Sequence, residues 1–208
     1  MAAINCRSGI DYLGGDTDIR DKDSAKFSWK AKRAREGWQN MSKVRIAVTA
    51  LTLSAAGFIG IVTNEGYTDT SIIPIKGDRP TVGFGSTFHE DGSPVKMGDK
   101  TTPVKAMRKS IAHIGKDELQ LKRCVTGDLH QEEWDILVDF GYWRGSGGTC
   151  RSEVVKNINA GNYVAACEAY LNLDSRRAAG RDCSIRENNC RGVWLRAQER
   201  HKKCMEAQ

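Results

Sequence analysis

The sequence predicts an α+β domain: a small β subdomain, then a mostly helical lobe, preceded by an apolar N-terminal helix. Three observations carry this. The segment from Ile46 to Asn64 (IAVTALTLSAAGFIGIVTN) contains no charge. Two short extended runs follow, SIIPI and PTVGFG, separated by Lys76-Gly77-Asp78. Beyond Thr102-Pro103, apolar residues recur at helical spacing almost to the C-terminus. A chain of 208 residues with 39% hydrophobic content buries one good core, so a single main domain is expected.

Taken in order, residues 1–40 mix charges (DTDIRDKDSAK) with isolated Trp29 and Trp38. They show no sustained periodicity and read as a poorly ordered charged extension. Met41 opens MSKVR, a short basic segment suited to be the working start. Residues 41–64 then read as a signal-anchor segment, and residues 65–208 as the catalytic domain. The apolar run is long enough to span a bilayer, yet Ala, Gly, Thr and Ser make up more than half of it. It reads as an uncleaved anchor, as a cleavable signal peptide with Ser54-Ala55-Ala56 at the cleavage site, or as an ordinary buried helix. Lys43, Arg45 and the upstream KAKRAR predict an N-in, C-out orientation.

In the second half, Thr102-Pro103 starts a helix with Val104, Met107, Ile111 and Ile114 on one stripe. QEEWDILVDFGYW forms another, with Trp134, Leu137, Val138 and Gly141 aligned. SEVVKNINAG, NYVAACEAYL and GVWLRAQERHKKC complete the helical lobe.

The formal charge of +6 and pI of about 9.0 favour an anionic partner: nucleic acid, a membrane face or the cell wall. No nucleic-acid-binding motif accompanies the charge, and export signals argue against that partner. Six of the seven cysteines (Cys124, Cys150, Cys167, Cys183, Cys190 and Cys204) fall in the last part of the chain, with Cys6 apart. None forms a CxxC pair, and no zinc-ligand spacing emerges with His113 or His130. An even set suggests disulfides and an oxidising compartment, against the alternative of reduced, buried thiols. CSIRENNC reads as a polar loop closed by Cys183–Cys190. The expected partners among the rest are Cys124–Cys150 and Cys167–Cys204, with other connectivities open.

One stretch carries chemistry: NEGYTDTSIIPIKGDRPTVGFG, from Asn64 to Gly85. Glu65 lies where a helix gives way to extended chain, so apolar neighbours can desolvate its carboxyl and keep a proton on it. Asp78 sits in a turn and Thr81 begins the following strand. An acid with a carboxylate and a hydroxyl opposite can polarise a water, the set that inverting glycoside hydrolysis requires. Individually, these residues also suit a helix end, a turn and a strand.

Glu65-Gly66-Tyr67 followed by Pro80-Thr81-Val82-Gly83-Phe84-Gly85 resembles the active-site signature of phage-type lysozymes, glycoside hydrolase family 24. GSPVKMGD, HQEEWDILVDFGYW, CRSEVVKNINAGNYVAAC and WLRAQERHKKC follow in the family's order. The resemblance covers Glu65 to Cys204 and implies a lysozyme-like fold. It also implies a muramidase that cleaves the β-1,4 bond between N-acetylmuramic acid and N-acetylglucosamine in peptidoglycan. By that match Glu65 is the general acid and Thr81 helps place the attacking water. Pro74 stands where the family's spacing puts the Asp. Asp78, which adjoins Thr81, is preferred to Asp69. Phe140, Tyr142, Trp143 and Arg144 match the part of the family's helix that faces the sugar, though such aromatics equally suit a core. Neither cofactor nor metal is implied.

The mild apolar run resembles the signal-arrest-release segment of some endolysins of phages of Gram-negative hosts. That resemblance implies an exported enzyme, tethered transiently to the inner membrane through residues 46–64 and then periplasmic, acting as a monomer. A lytic transglycosylase and a non-catalytic wall-binding protein are the rival readings.

Overall fold

The computed structural model describes residues 44–74 and 79–208. The charged extension at residues 1–40, Cys6 and Asp78 lie outside the described residues. Helices and strands below are numbered in chain order, with isolated 3-10 turns left unnumbered.

The apolar run is broken into three pieces. Ile46 forms an isolated antiparallel bridge with Leu129, Val48–Ala50 make one 3-10 turn, and only Ala55–Glu65 form a helix, α1. Ser54 sets the break. Its side chain accepts a hydrogen bond from Gly57 N–H at 3.0 Å, the N-cap role that serine fills better than any helix-interior one. Asp135 in turn accepts from both the Ser54 N–H and its hydroxyl. The Leu53 N–H donates to Glu118 Oε1 at 2.7 Å. Arg45 forks onto Glu133 with Nε and Nη2 at 3.0 and 2.8 Å. Val48, Leu51 and Ile61 are buried in the main core. Polar anchors and apolar contacts thus tie the run into the body of the domain, and among the described residues no helix is long and apolar enough to cross a membrane.

The β subdomain pairs β1 (Thr68–Ile72) with β2 (Thr81–Gly83), antiparallel, in the register Thr68↔Gly83 and Ile72↔Thr81 with an irregularity between. On the other edge of β1, Thr70 bridges Lys100. β1 begins earlier than SIIPI suggested, because Thr68 already finds a partner in Gly83.

Thr102 caps α2 (Pro103–Cys124), with Pro103 in the first turn, where a missing N–H costs nothing. Its buried stripe is Ala106, Ser110, Ile114, Asp117 and Leu121. Of the apolar stripe expected from spacing, Ile114 is buried, while Val104, Met107 and Ile111 point outward. The small residues Ala106 and Ser110 let the sheet and α3 approach closely, so the larger side chains are left on the far face. α3 (Gln131–Arg144) is the central helix, with Trp134, Leu137, Val138 and Phe140 fully buried. Glu133 closes its N-terminus by accepting from His130 N–H at 2.8 Å.

The short helices α4 (Ser146–Cys150), α5 (Glu153–Asn159) and α6 (Tyr163–Glu168) wrap this core. A two-stranded hairpin, β3 (Arg177–Ala178) and β4 (Arg181–Asp182), leads to the last helix, α7 (Arg191–Glu206). The fold is α+β, a small β subdomain followed by a mostly helical lobe, as expected.

The six cysteines pair as Cys124–Cys150, Cys167–Cys204 and Cys183–Cys190. The last closes the shortest loop, with a sequence separation of 7, so it restrains the unfolded chain least. Replacing Cys183 and Cys190 together by Ala is expected to cost about 2 kcal/mol. In a chain of this size a thermal melt should show that as a fall of roughly 5 °C.

Candidate active site

Glu65 is the last residue of α1, and Gly66 ends the helix at φ 70°, a left-handed conformation that glycine takes without strain. The chain turns there into β1, so the carboxyl stands at the junction of helix and sheet. Its partner comes from the far end of the sequence. Arg196 of α7 donates from Nη1 to Glu65 Oε1 at 2.9 Å and from Nη2 to the Asn64 carbonyl at 3.0 Å. The pair is half-buried, with side chains 30% and 23% exposed. An apolar wall around Glu65 was expected; a guanidinium stands there instead.

The Gly83–Gly85 turn closes the opposite side. Gly85 has φ 72°, and a Cβ placed on it would stand 3.1 Å from Glu65 Oε2. A side chain here would press on the carboxylate, so this position suits glycine on both counts. A Cβ on Gly83 would meet the Ala106 Cβ at 2.8 Å, which seats the same turn on α2. Phe84, between them, has its ring 5.5 Å from that of Tyr67.

Tyr142 locks this turn to the central helix: its hydroxyl donates to the Phe84 carbonyl at 3.1 Å. Burial pushes the Tyr142 hydroxyl above its ordinary value, and the nearby Glu65 and Asp117 carboxylates push it further. It therefore stays a neutral donor near neutral pH. Tyr142→Phe is expected to lose about 1 kcal/mol, seen as a melting temperature lower by roughly 2–4 °C.

Thr81 opens β2, half-exposed, with its hydroxyl making only a long 3.5 Å contact to the Ile72 carbonyl. That leaves the hydroxyl able to bind a water. Asp69 is exposed on β1, and its carbonyl accepts from Thr101 N–H at 2.8 Å. Pro74 is exposed as well.

The four residues expected to face a sugar divide. Tyr142 is at the site. Phe140 is 0% exposed and meets Tyr170 edge-on at 5.3 Å, so its ring has no free face for a ligand. Trp143 is half-buried, 6.0 Å from Phe140 and under the Arg200 guanidinium at 5.4 Å. Arg144 donates to the Asp174 carbonyl. One turn of helix brings three aromatics together, and burial rather than chemistry assigns their places.

Arg196 is the residue that the sequence reading missed. It lies 131 positions from Glu65, within a segment quoted only as a whole, and no local pattern links two such positions. Among the described residues, no group of three or more His, Cys, Asp and Glu lies close enough to hold a metal ion.

The profile of the phage lysozyme family matches residues 62–184, a span that includes Glu65, Thr81 and the central helix. The endolysin of Salmonella phage P22 is 28% identical over 145 residues, 65% of this chain and 90% of that protein. The structure of an endolysin from Escherichia coli O157:H7 phage FAHEc1 aligns with a TM-score of 0.65 and 25% identity, covering 76% of this chain and 96% of the other. The muramidase domain of SpmX from Asticaccaulis excentricus shares the fold, with a TM-score of 0.61, 20% identity and coverage of 74% and 98%.

Proposed function

This chain belongs to the phage lysozyme family, and we infer from that premise that it is an endolysin. It is a muramidase that hydrolyses the β-1,4 bond between N-acetylmuramic acid and N-acetylglucosamine in peptidoglycan and so lyses the host cell. The observation that carries this reading is the placement of Glu65. A single carboxyl is held at the helix–sheet junction, between Arg196 and the Gly83–Gly85 turn, inside the stretch that matches the family.

In the reaction Glu65 gives its proton to the glycosidic oxygen as the bond breaks. Arg196 and the turn fix the direction in which the carboxyl points. Water attacks the anomeric carbon from the opposite face of the sugar, oriented by the Thr81 hydroxyl and deprotonated by a second carboxylate. We assign that carboxylate to Asp78, three residues before Thr81 in the chain, with Asp69 as the alternative. Mass spectrometry of the released fragments tests the whole scheme. Reducing muramic ends that disappear in Glu65→Gln and in Asp78→Asn, but persist in Asp69→Asn, support it. Anhydromuramic ends would make the enzyme a transglycosylase, and loss only in Asp69→Asn would move the base.

The run from Ile46 to Asn64 supports a second step of the same reading. Before the domain is complete, this uncharged segment is held in the inner membrane behind Lys43 and Arg45. Its Thr, Ser and Gly content makes that state weak enough to leave. Release then puts the enzyme in the periplasm. Thr49, Thr52, Ala55 and Thr63 are exposed in the folded domain, so Leu at all four strengthens the anchor while sparing the core. Host lysis should then stop at unchanged protein level; continued lysis sinks the anchor.

A further inference from the structure

The outer face of α2 is neither polar nor balanced in charge. Val104, Arg108, Ile111 and Leu119 recur four, three and eight residues apart, a spacing that a helix stacks along one side. Val104, Ile111 and Leu119 are 55%, 57% and 63% exposed, and Met107 beside them 37%. Lys105, Lys116 and Arg123 run along one flank of this stripe and, like Arg108, are exposed. None of these four cations is ion-paired among the described residues.

The two carboxylates of the helix are turned the other way. Asp117 is buried, and Glu118 accepts from the Leu53 N–H at 2.7 Å and from Trp134 Nε1 at 3.0 Å. Glu90 and Asp91, from the loop ahead of α2, exert their charge on Lys109, whose Nζ is buried. Over the 22 residues of α2, about 33 Å of axis, the face therefore offers apolar side chains and positive charge without an acid of its own.

We propose that this face of α2 docks the folded enzyme on an anionic phospholipid bilayer. A soluble polyanion would satisfy the cations and leave Val104, Ile111 and Leu119 in water. A bilayer surface takes both, with the apolar side chains at the acyl boundary and the cations among the phosphates. The docked orientation follows from the reverse side of the same helix. Ala106, two residues from both Val104 and Arg108, faces inward, where a Cβ on Gly83 would meet its own Cβ at 2.8 Å. His113 is exposed, and its ring stands 5.3 Å from that of Tyr142, which holds the Phe84 carbonyl. The turn that closes on Glu65 thus rests on the side of α2 away from the stripe, and docking leaves the catalytic cleft open to the wall. This surface belongs to the completed domain and is separate from insertion of the run Ile46 to Asn64; it does not depend on the muramidase reading.

Co-sedimentation of the disulfide-intact chain with phosphatidylglycerol and with phosphatidylcholine vesicles tests the proposal. Two variants keep Ile46 to Asn64 unchanged: Lys105→Gln, Arg108→Gln, Lys116→Gln, Arg123→Gln, and Val104→Gln, Ile111→Gln, Leu119→Gln. Glutamine is a good helix former, and a thermal melt establishes that each variant is folded. Wild type should favour phosphatidylglycerol, and high salt should weaken its binding. The charge variant should bind phosphatidylglycerol roughly a hundredfold more weakly, and the apolar variant roughly tenfold. Equal binding by all three proteins would leave the apolar run as the membrane contact and overturn docking through α2. Loss in the charge variant alone, with the apolar variant binding like wild type, would make the face a general polyanion site and overturn the bilayer. Equal binding of wild type to the two lipids would do the same.

Discussion

Glu65→Gln is expected to lower peptidoglycan cleavage by about a thousandfold while leaving the protein folded. General acid catalysis contributes roughly a hundred- to ten-thousandfold, and an amide has no proton to give to the leaving oxygen. The substitution is nearly isosteric. The amide oxygen can still accept from Arg196 Nη1, now at 2.9 Å from Oε1, and the Gly83–Gly85 turn meets the same shape. The melting temperature should therefore change by less than roughly 3 °C. Turbidity loss of sacculi together with a thermal melt decides the matter. Retained cleavage removes Glu65 from the reaction, and lost cleavage with a collapsed melt would make its role structural. Arg196→Ala separates the two parts of the site: the acid remains but is no longer aimed, so turnover should fall without disappearing.

The largest stability effect is expected at Glu133. This side chain is 4% exposed, yet three parts of the chain donate to it: Arg45 just ahead of the apolar run, the His130 N–H ahead of α3, and Gln208 at the C-terminus. Burial by itself would raise the Glu133 carboxyl. The hydrogen bonds from Arg45, His130 and Gln208 outweigh it, and the group ends below its ordinary value of 4.5. Removing one partner from a buried ion pair typically costs about 3–5 kcal/mol. Glu133→Ala should lose that much, or roughly 10 °C in melting temperature.

The pH dependence follows from the direction of the shift. A carboxyl with a lowered folded value contributes fully above its unfolded value, and the contribution fades as pH falls through the folded one. Wild type should therefore lose stability steadily below about pH 4.5. The gap between wild type and Glu133→Ala should narrow over the same window. Urea melts at pH 7 and pH 3 measure this, and a gap that widens in acid would contradict the assignment.

The order of elements was legible because each carries its own local signal. Thr102-Pro103 announces α2, Ser152 caps α5, and the stripe of Trp134, Leu137 and Val138 marks a helix buried nearly all round. The pairing of Cys183 with Cys190 follows from a loop too short to close otherwise. Contacts between distant parts of the chain were not legible. Hydropathy reads Ile46 to Asn64 as one segment and cannot register that Asp135 waits, 81 positions on, for the Ser54 N–H and hydroxyl. Spacing alone put Val104, Met107, Ile111 and Ile114 on one stripe, but which side of α2 is buried depends on the space left by Ala106 and Ser110 and on what crosses there. Glu65 was found from a motif, but the environment that aims it is made by Arg196, which no motif near Glu65 contains.

The three carboxylates that receive Arg45, Leu53 and Ser54 have a meaning beyond local packing. Glu133, Glu118 and Asp135 are all on α2 or α3, and each takes at least one hydrogen bond from the stretch just ahead of α1. On the proposal that this stretch first resides in a bilayer, the remainder of the chain then has acids that keep only part of their donors and a core without Val48, Leu51 and Ile61. Such a molecule is a zymogen with no propeptide to cut. What it lacks is a wall of its own interior, and the residue that would do the chemistry is at the end of the missing piece. Activation and the last step of folding are then one event, and the moment of lysis is set by how fast a single segment finds its place.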